Sequence, residues 1–321
     1  PSRLANPAAV ALPENFPVST VYQWNFAVQQ ELPANTAVTV SYVGSGSNYL
    51  PGFNNVNDAL PGAGAVNARR PFPTYGGITL NAPFAHATYH SLQAKVERRF
   101  EKGFSLLGAY TLGHGMDNSI NGEDNAAGSV NPQNPRDLRS ERSSSATDIR
   151  HRLVTSGIWD LPLGGKGTAF GRALLGGWRL AGILSLQTGV PLTPTVAPNP
   201  ANTTGPARPD RLRDGNLPGN ERTIDRWFDR TAFAAATPFN FGNSGRHVLR
   251  APGLKTLDAV LSRDFTLGEQ RRLEFRWEMF NLTNTAQFGR PNLNVSLAQG
   301  GTITSTQTAN RQMQLGLRLV F

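Results

Sequence analysis

The sequence predicts an all-β fold: a partial, antiparallel transmembrane β-barrel of about nine strands with long loops at one end. Nine segments alternate apolar and polar residues with a period of two, which places the two kinds on opposite faces of a strand. Short turns and long polar loops alternate between these segments, as in membrane barrels. No stretch reaches the roughly 18 consecutive apolar residues that a spanning helix needs. Strands are therefore the elements expected to cross a membrane.

The last segment alternates most clearly. Its odd positions are apolar: Met313, Leu315, Leu317, Leu319 and Phe321. Its even positions are Gln312, Gln314, Gly316 and Arg318. The other predicted strands are 20–32, 36–43, 88–100, 104–112, 151–161, 178–187, 257–265 and 273–279. Most are close to the 9–11 residues that a tilted strand needs to cross a bilayer. The apolar face is expected to meet lipid and the polar face the lumen.

The connections predict which strand ends face which side. Short turns are expected at 33–35, 101–103 and 268–270, with a looser one at 164–176. Long loops are expected at 45–87, 113–148, 189–253 and 284–310, all rich in Gly, Pro, Asn and Ser. A soluble β-sandwich would have connections of similar size at both ends. Aromatic residues near strand ends are candidates for the two interfacial girdles: Trp24, Tyr42, Tyr110, Trp159, Trp178 and Phe321.

Composition excludes several kinds of function. The 321 residues include no cysteine, which removes disulfides, thiolate metal sites and thiol nucleophiles. The net charge is +9, but the basic residues are scattered among acids, so no nucleic-acid partner is expected. The chain starts without the charged and apolar regions of a signal peptide. Because an outer-membrane protein requires a signal peptide, we expect this chain to be part of a longer protein.

No catalytic, cofactor or metal motif stands out. No Gly-x-Ser-x-Gly elbow lies between a strand and a helix, and no glycine-rich phosphate loop with lysine is present. The run 117–122 is similar to the start of a calcium loop, but the twelfth position is Gly128 instead of glutamate, which favours an ordinary Asn-rich loop. The five histidines lack zinc-ligand spacing. The sequence therefore predicts neither an enzyme nor a cofactor.

A series of short motifs follows the order found in one family. They are Tyr22-Gln23-Trp24-Asn25, Tyr42-Val43-Gly44-Ser45, Tyr89-His90-Ser91-Leu92-Gln93, Glu97-Arg98-Arg99-Phe100, Asp148-Ile149-Arg150-His151-Arg152, Gly176-Gly177-Trp178-Arg179-Leu180, Arg226-Trp227-Phe228, Phe280-Asn281-Leu282-Thr283-Asn284 and Leu317-Arg318-Leu319-Val320-Phe321. In this order, across nearly the whole chain, they resemble the C-terminal half of TonB-dependent receptors of the Oar-like, carboxypeptidase-regulatory-domain type.

The resemblance implies a barrel of 22 strands, of which residues 1–321 would supply the C-terminal nine. The missing 22 − 9 = 13 strands, the plug, the TonB box and the signal peptide would precede Pro1. The implied function is energy-coupled uptake of an unidentified substrate, with outer-membrane lipid and, through the plug, the TonB complex as partners. The alternatives are a structural or adhesive outer-membrane barrel without TonB coupling, a secreted glycan-binding β-protein and, least favoured, an enzyme.

Two segments carry more specific hypotheses. The alternating residues that end in Phe321 resemble the signal read by the barrel assembly machinery, because an exposed strand edge can be captured by strand addition. Loss of assembly after removal of Phe321 would test that hypothesis. In the loop segment 221–230, Ile224, Trp227 and Phe228 have the spacing of a short amphipathic helix. It is either a lid over the barrel mouth or a loop anchor, and substrate uptake by a Trp227→Ala variant at unchanged surface abundance distinguishes the two.

Overall fold

Nine long strands dominate the structure, a computed structural model that describes residues 6–118, 131–163, 168, 175–268 and 271–321. We number them β1 (Thr20–Leu32), β2 (Thr36–Asn55), β3 (Ile78–Glu101), β4 (Phe104–Asp117), β5 (His151–Asp160), β6 (Trp178–Gln187), β7 (Leu254–Thr266), β8 (Arg272–Phe280) and β9 (Gln312–Val320). Each pairs antiparallel with the next along the chain, in one sheet. Within the described residues, the all-β fold and the nine predicted strands are confirmed.

The pairing register separates apolar from polar side chains. Leu273, Phe275, Trp277 and Met279 of β8 lie directly opposite Leu319, Leu317, Leu315 and Met313 of β9. The intervening positions pair Glu274 with Arg318 and Glu278 with Gln314. Because side chains alternate between faces along a strand, each hairpin has one apolar and one polar face. The predicted alternation of β9 is therefore confirmed.

The same apolar face extends across the sheet. Its residues include Trp24, Phe26, Val28, Val38, Val40, Tyr42, Leu92, Val96, Leu106, Tyr110, Leu153, Leu180, Leu184, Leu257 and Leu261. Many of these side chains are open: Phe26 is 69% exposed and Leu317 70%. An apolar surface this extensive requires an apolar neighbour such as lipid.

Aromatic side chains mark both margins of the apolar face. Trp159 lies opposite Phe104 near the short turns, and Trp178 packs edge-on against Phe275 at 5.6 Å between ring centroids. Near the long loops, the Tyr42 hydroxyl is 2.7 Å from His90 Nδ1, and that of Tyr110 is 2.8 Å from the Nδ1 of His151. The positions agree with two interfacial girdles, in which amphipathic rings keep their polar edge in water.

Tight turns join the strands at one end of the sheet, which we call the turn end. Lys102 and Gly103, between β3 and β4, have φ of 50° and 79°, and Ala34 and Asn35, between β1 and β2, have φ of 62° and 51°. Lys102 and Gly103 alone separate the paired Glu101 and Phe104, and positive φ at both is what a two-residue type I′ turn requires, whereas three residues separate the paired Leu32 and Thr36. These turns fix the register of both hairpins. The opposite end of the sheet, which carries the long loops, is the loop end.

Three strands run at least five residues further toward the loop end than the sequence predicted. β2 continues to Asn55, β3 begins at Ile78 and β4 ends at Asp117, so the predicted loop 45–87 shrinks to 56–77. The extensions lack apolar alternation, because they pass beyond the apolar band. Ladder hydrogen bonding needs no such alternation, and β2 and β3 stay paired from Thr36 to Asn55 with two register shifts.

The remaining elements are short. The strands Ala9–Ala11, Ser143–Ser144, Pro191–Leu192, Asp210–Arg211, Phe233–Ala234 and Leu249–Arg250 accompany the 3-10 helices Asn67–Arg69, Leu138–Glu141 and Arg230–Ala232. Ala9–Ala11 pairs in parallel with Ile78–Leu80 of β3. Among the residues that the structure describes, no helix is long and apolar enough to cross a membrane.

Candidate functional site

Four long loops fold together at the loop end: the first (56–77), the second (described at 118 and 131–150), the third (188–253) and the fourth (281–311). The third and fourth loops share an apolar core formed by Leu192, Phe228, Ala232, Phe233, Leu249, Ala251, Leu293 and Val295, and polar contacts join the other two loops to them. Phe228 is 2% exposed, and its ring meets Phe233 edge-on at 6.3 Å. Burying each large apolar side chain contributes about 1.5–3 kcal/mol. We call this unit the loop layer.

The prediction of a short helix around Ile224, Trp227 and Phe228 is wrong. The segment is a turn, in which the backbone N–H groups of Thr223 and Arg226 each donate to the other residue's carbonyl. It then binds the fourth loop, because Trp227 N donates to Gly301 O at 2.9 Å and Ile303 N donates to Ile224 O at 2.7 Å. Pairing with a distant loop has overridden the local helical spacing.

The three side chains take different positions in the loop layer. Phe228 is buried in its core, Trp227 is partly buried against it, and Ile224 is 46% exposed. The indole Nε1 of Trp227 donates to the Arg250 carbonyl at 2.8 Å. For Phe228 and Trp227 this burial fits the anchor interpretation. The role of the segment as a lid stays a prediction.

A buried ion pair joins the second loop to the third. The guanidinium of Arg208 donates to both carboxylate oxygens of Glu141, at 2.8 and 3.0 Å, and the two side chains are 6% and 2% exposed. Gln133 closes the network: its N–H donates to Glu141 Oε1 at 3.2 Å, and its Oε1 accepts from Arg208 N at 2.6 Å. Two-point pairing fixes orientation as well as distance.

A second buried cation links the loops to the sheet. Arg246, of the third loop, donates from Nε to the Glu141 carbonyl at 3.1 Å and from Nη2 to the Asp117 carbonyl at 3.0 Å. The same Nη2 forms an ion pair with the Asp117 carboxylate at the end of β4. Arg246 is 5% exposed. The third loop is thus held to both the second loop and the sheet.

The first loop joins the third through polar contacts. Asp58 Oδ1 accepts from the N–H and hydroxyl of Thr204, at 3.1 and 2.6 Å. Arg69 Nη2 donates to the Asn202 carbonyl at 2.6 Å, and Asn202 Nδ2 donates back to Gly62 O at 2.9 Å. Together with the buried ion pairs, these bonds make the first three loops one connected unit.

Asp148 anchors the segment that leads into β5, and its side chain is 1% exposed. It accepts from Gly115 N at 2.9 Å and from Arg250 Nη2 at 2.8 Å, and His114 Nδ1 lies at 3.3 Å. Burial opposes its ionisation, but the Gly115 N–H and the Arg250 guanidinium outweigh burial and hold the pKa of Asp148 below its usual value.

Acid should therefore loosen this part of the loop layer. A depressed carboxyl pKa contributes stability above the unfolded value, about 3.9, and this contribution disappears as the pH falls through the folded pKa. We expect hydrogen exchange of peptides 145–150 and 246–252 to accelerate below about pH 4, beyond the intrinsic pH effect. In an Asp148→Asn variant of the full-length protein, the same two peptides should already exchange faster than in the wild type at neutral pH. A variant that keeps the wild-type pH profile would contradict the assignment.

The polar face of the sheet contains an apolar patch that the sequence analysis did not identify. Ile158 and Ile183, from β5 and β6, line a cavity of about 630 Å³ with Leu107 of β4. Lys95 and Asp258 also line it. The alternation of β5 is weak, so the sequence assigned no apolar role to Ile158. The polar face can thus contact both polar and apolar groups.

Two further sequence predictions concern metal and the C-terminal strand. The calcium-like run 117–122 lies mostly in 119–130, outside the described residues. Among the described residues, no three His, Asp or Glu side chains are arranged to hold a metal ion. Met313, Leu315, Leu317 and Leu319 share the apolar face of β9, and Phe321, just past its end, is 87% exposed. Recognition of this strand by the assembly machinery stays a prediction.

A comparison with protein-family models agrees with the fold. The family model described as "Outer membrane beta barrel domain" matches residues 1–314. One similar solved structure, described as "Structure of the FpvAI-pyocin S2 complex", has a TM-score of 0.42 and 9% identity. That match covers 93% of this chain but 27% of the other, so this chain spans about a quarter of its length. No curated protein matches the sequence. Because the family model covers nearly the whole chain, the protein belongs to the outer membrane beta barrel domain family and is located in the outer membrane.

Proposed function

We propose that this chain forms the C-terminal wall of a TonB-dependent receptor of the Oar-like type, which takes up a substrate under energy coupling. In such a barrel the loop end is extracellular and the turn end periplasmic. The apolar face contacts lipid, and the polar face lines the lumen. The plug, which would bind TonB, belongs to the part of the protein that precedes these residues. We propose no catalytic step and no cofactor.

The observation that carries the proposal is the construction of the loop layer. A barrel with a purely structural role needs only loops that are long enough to join its strands. Here the second and third loops are joined by Glu141 and Arg208, both nearly fully buried. Such an ordered extracellular surface, above a lumen face that offers polar and apolar contacts, suits selective capture of a substrate. The ordered series of family-like motifs in the sequence adds independent support.

TonB coupling is testable without knowing the substrate. The full-length protein, tagged directly after its signal peptide so that the C-terminal strand stays unaltered, is produced in its own host, cross-linked with formaldehyde in living cells and purified under denaturing conditions. We expect an adduct that contains TonB, because the plug must contact TonB during transport. A tagged porin from the same cells is the matched control and should give none.

Loss of the adduct in cells that lack TonB confirms its identity. A full-length protein at normal abundance that forms no TonB adduct would contradict energy coupling. That result would favour the structural or adhesive barrel. The fold and the outer-membrane location would not be affected by either outcome.

A further inference from the structure

A cavity of about 790 Å³ lies where β4 to β7 meet the third loop, and its wall is strongly basic. Arg150, Arg222, Arg250 and Lys255 all line it, and no Asp or Glu is among the lining residues. Four cations around one cavity repel each other unless an anion lies between them. The wall therefore presents an unbalanced positive charge to whatever fills the cavity.

Little of this charge is neutralised nearby. Arg250 pairs with Asp148, and Arg222 donates to the Leu217 carbonyl at 2.7 Å while lying 5.4 Å above the Trp227 ring. Among the described residues, no carboxylate lies within ion-pair distance of Arg150 or Lys255, and both are exposed. At least two cations are thus free to take an external anion.

The cavity lies just beyond the apolar band, on the side that contacts lipid. Lys255 is directly opposite Leu186, and it lies on the apolar face two residues before Leu257, closer to the loop end. His151, also in the wall, bonds to Tyr110 of the loop-end girdle. Since girdle aromatics lie at headgroup depth, the cavity lies level with the headgroups of the outer leaflet.

We propose that this cavity binds a phosphate of an outer-leaflet lipid headgroup. Guanidinium and ammonium groups are the side chains best suited to phosphate oxygens. The volume suits a headgroup, and the acyl chains would lie along the adjoining apolar face. Trp227 closes one side of the cavity and carries Arg222 on its ring. The proposal depends on the outer-membrane location and not on TonB coupling.

The test uses the full-length protein in detergent, stripped of lipid, with diphosphoryl lipid A as the probe. Native mass spectrometry measures bound lipid across a titration. We expect the triple variant Arg150→Gln, Arg222→Gln, Lys255→Gln to bind on the order of a hundredfold more weakly. Removing three exposed cations elsewhere in the loop layer, by Arg139→Gln, Arg290→Gln and Arg311→Gln, should leave binding unchanged.

Two further arms identify the source of the phosphate and the role of charge. Dephosphorylated lipid A should bind weakly to the wild type, and inorganic phosphate alone should compete only at far higher concentration. A charge-preserving variant, Arg150→Lys, Arg222→Lys, Lys255→Arg, should recover most of the binding and exclude misfolding as the cause of the loss. Equal binding of the dephosphorylated lipid, full binding by the triple glutamine variant, or equal competition by inorganic phosphate would each overturn the proposal.

Discussion

Replacing Glu141 by alanine is expected to release the second loop from the third and to destabilise the loop layer by about 3–5 kcal/mol. The reason is the burial of its partner, because the side chain of Arg208 is 6% exposed and would lose both charge-assisted hydrogen bonds. An uncompensated buried guanidinium costs more than the pair contributes. Trypsin cleavage of the full-length protein on intact cells measures the effect, and the third loop, rich in arginine, should become cleavable.

A matched surface pair provides the control. Arg211 and Asp214 form a 3.0 Å ion pair in the same loop, but their side chains are 36% and 63% exposed. Asp214→Ala should therefore cost no more than about 1 kcal/mol and leave cleavage nearly unchanged. Replacing both buried partners, as in Glu141→Met with Arg208→Met, should restore much of the protection. If the Glu141→Ala and Asp214→Ala variants resist trypsin equally, the pair does not hold the layer together.

The sheet could be predicted from the sequence because its signals are local. In β8 and β9 apolar and polar residues alternate along the chain. The faces on which Glu274 and Leu317 lie can therefore be predicted even when the neighbouring strand is unknown. Lys102-Gly103 indicates a hairpin turn by itself, because glycine readily adopts positive φ. Chain order then determines the pairing, since short turns join antiparallel neighbours.

The loop layer could not be predicted, because its contacts join residues far apart in the chain. Glu141 and Arg208 are separated by 67 residues, and no spacing rule links them. The local rule that was applied there failed: the spacing of Ile224, Trp227 and Phe228 indicated a helix, whereas bonds to the fourth loop determined the backbone. Where side chains pack on a distant segment, local periodicity carries little information.

Arg263 is another residue whose position the alternation pattern did not predict. It interrupts the apolar positions of β7, and the alternation of the sequence predicts no role for it. The structure places it on the apolar face near the turn end, 8% exposed, with its guanidinium 4.3 Å from the Phe265 ring centroid and 5.5 Å from that of Trp178. Near an interface, a long cationic side chain can lie along aromatic surface at moderate cost. The cost of a charged residue on the apolar face thus depends on its position along the strand, and not only on its charge.

The free-energy cost of a charge on the lipid face depends on its depth in the membrane, so a charge placed far from both interfaces should have a large effect. Leu317 lies near the middle of β9 on the apolar face, and its side chain is 70% exposed. Arginine on the lipid face near the bilayer midplane costs about 2–4 kcal/mol. We therefore expect Leu317→Arg in the full-length protein to reduce the folded fraction in outer-membrane preparations. The shift between heated and unheated samples on a denaturing gel measures that fraction.

A neighbouring residue on the opposite face provides the control. Gln314, three residues earlier in the same strand, contacts Glu278 on the polar face. Gln314→Arg adds the same charge to the same strand, but its guanidinium would meet that carboxylate in the lumen, so the folded fraction should stay near that of the wild type. Equal losses for both variants would show that β9 tolerates no added charge on either face, and the assignment of its apolar face to lipid would lose its support. A loss confined to Leu317→Arg requires that the two faces of this strand meet different surroundings, as they do in the wall of a barrel.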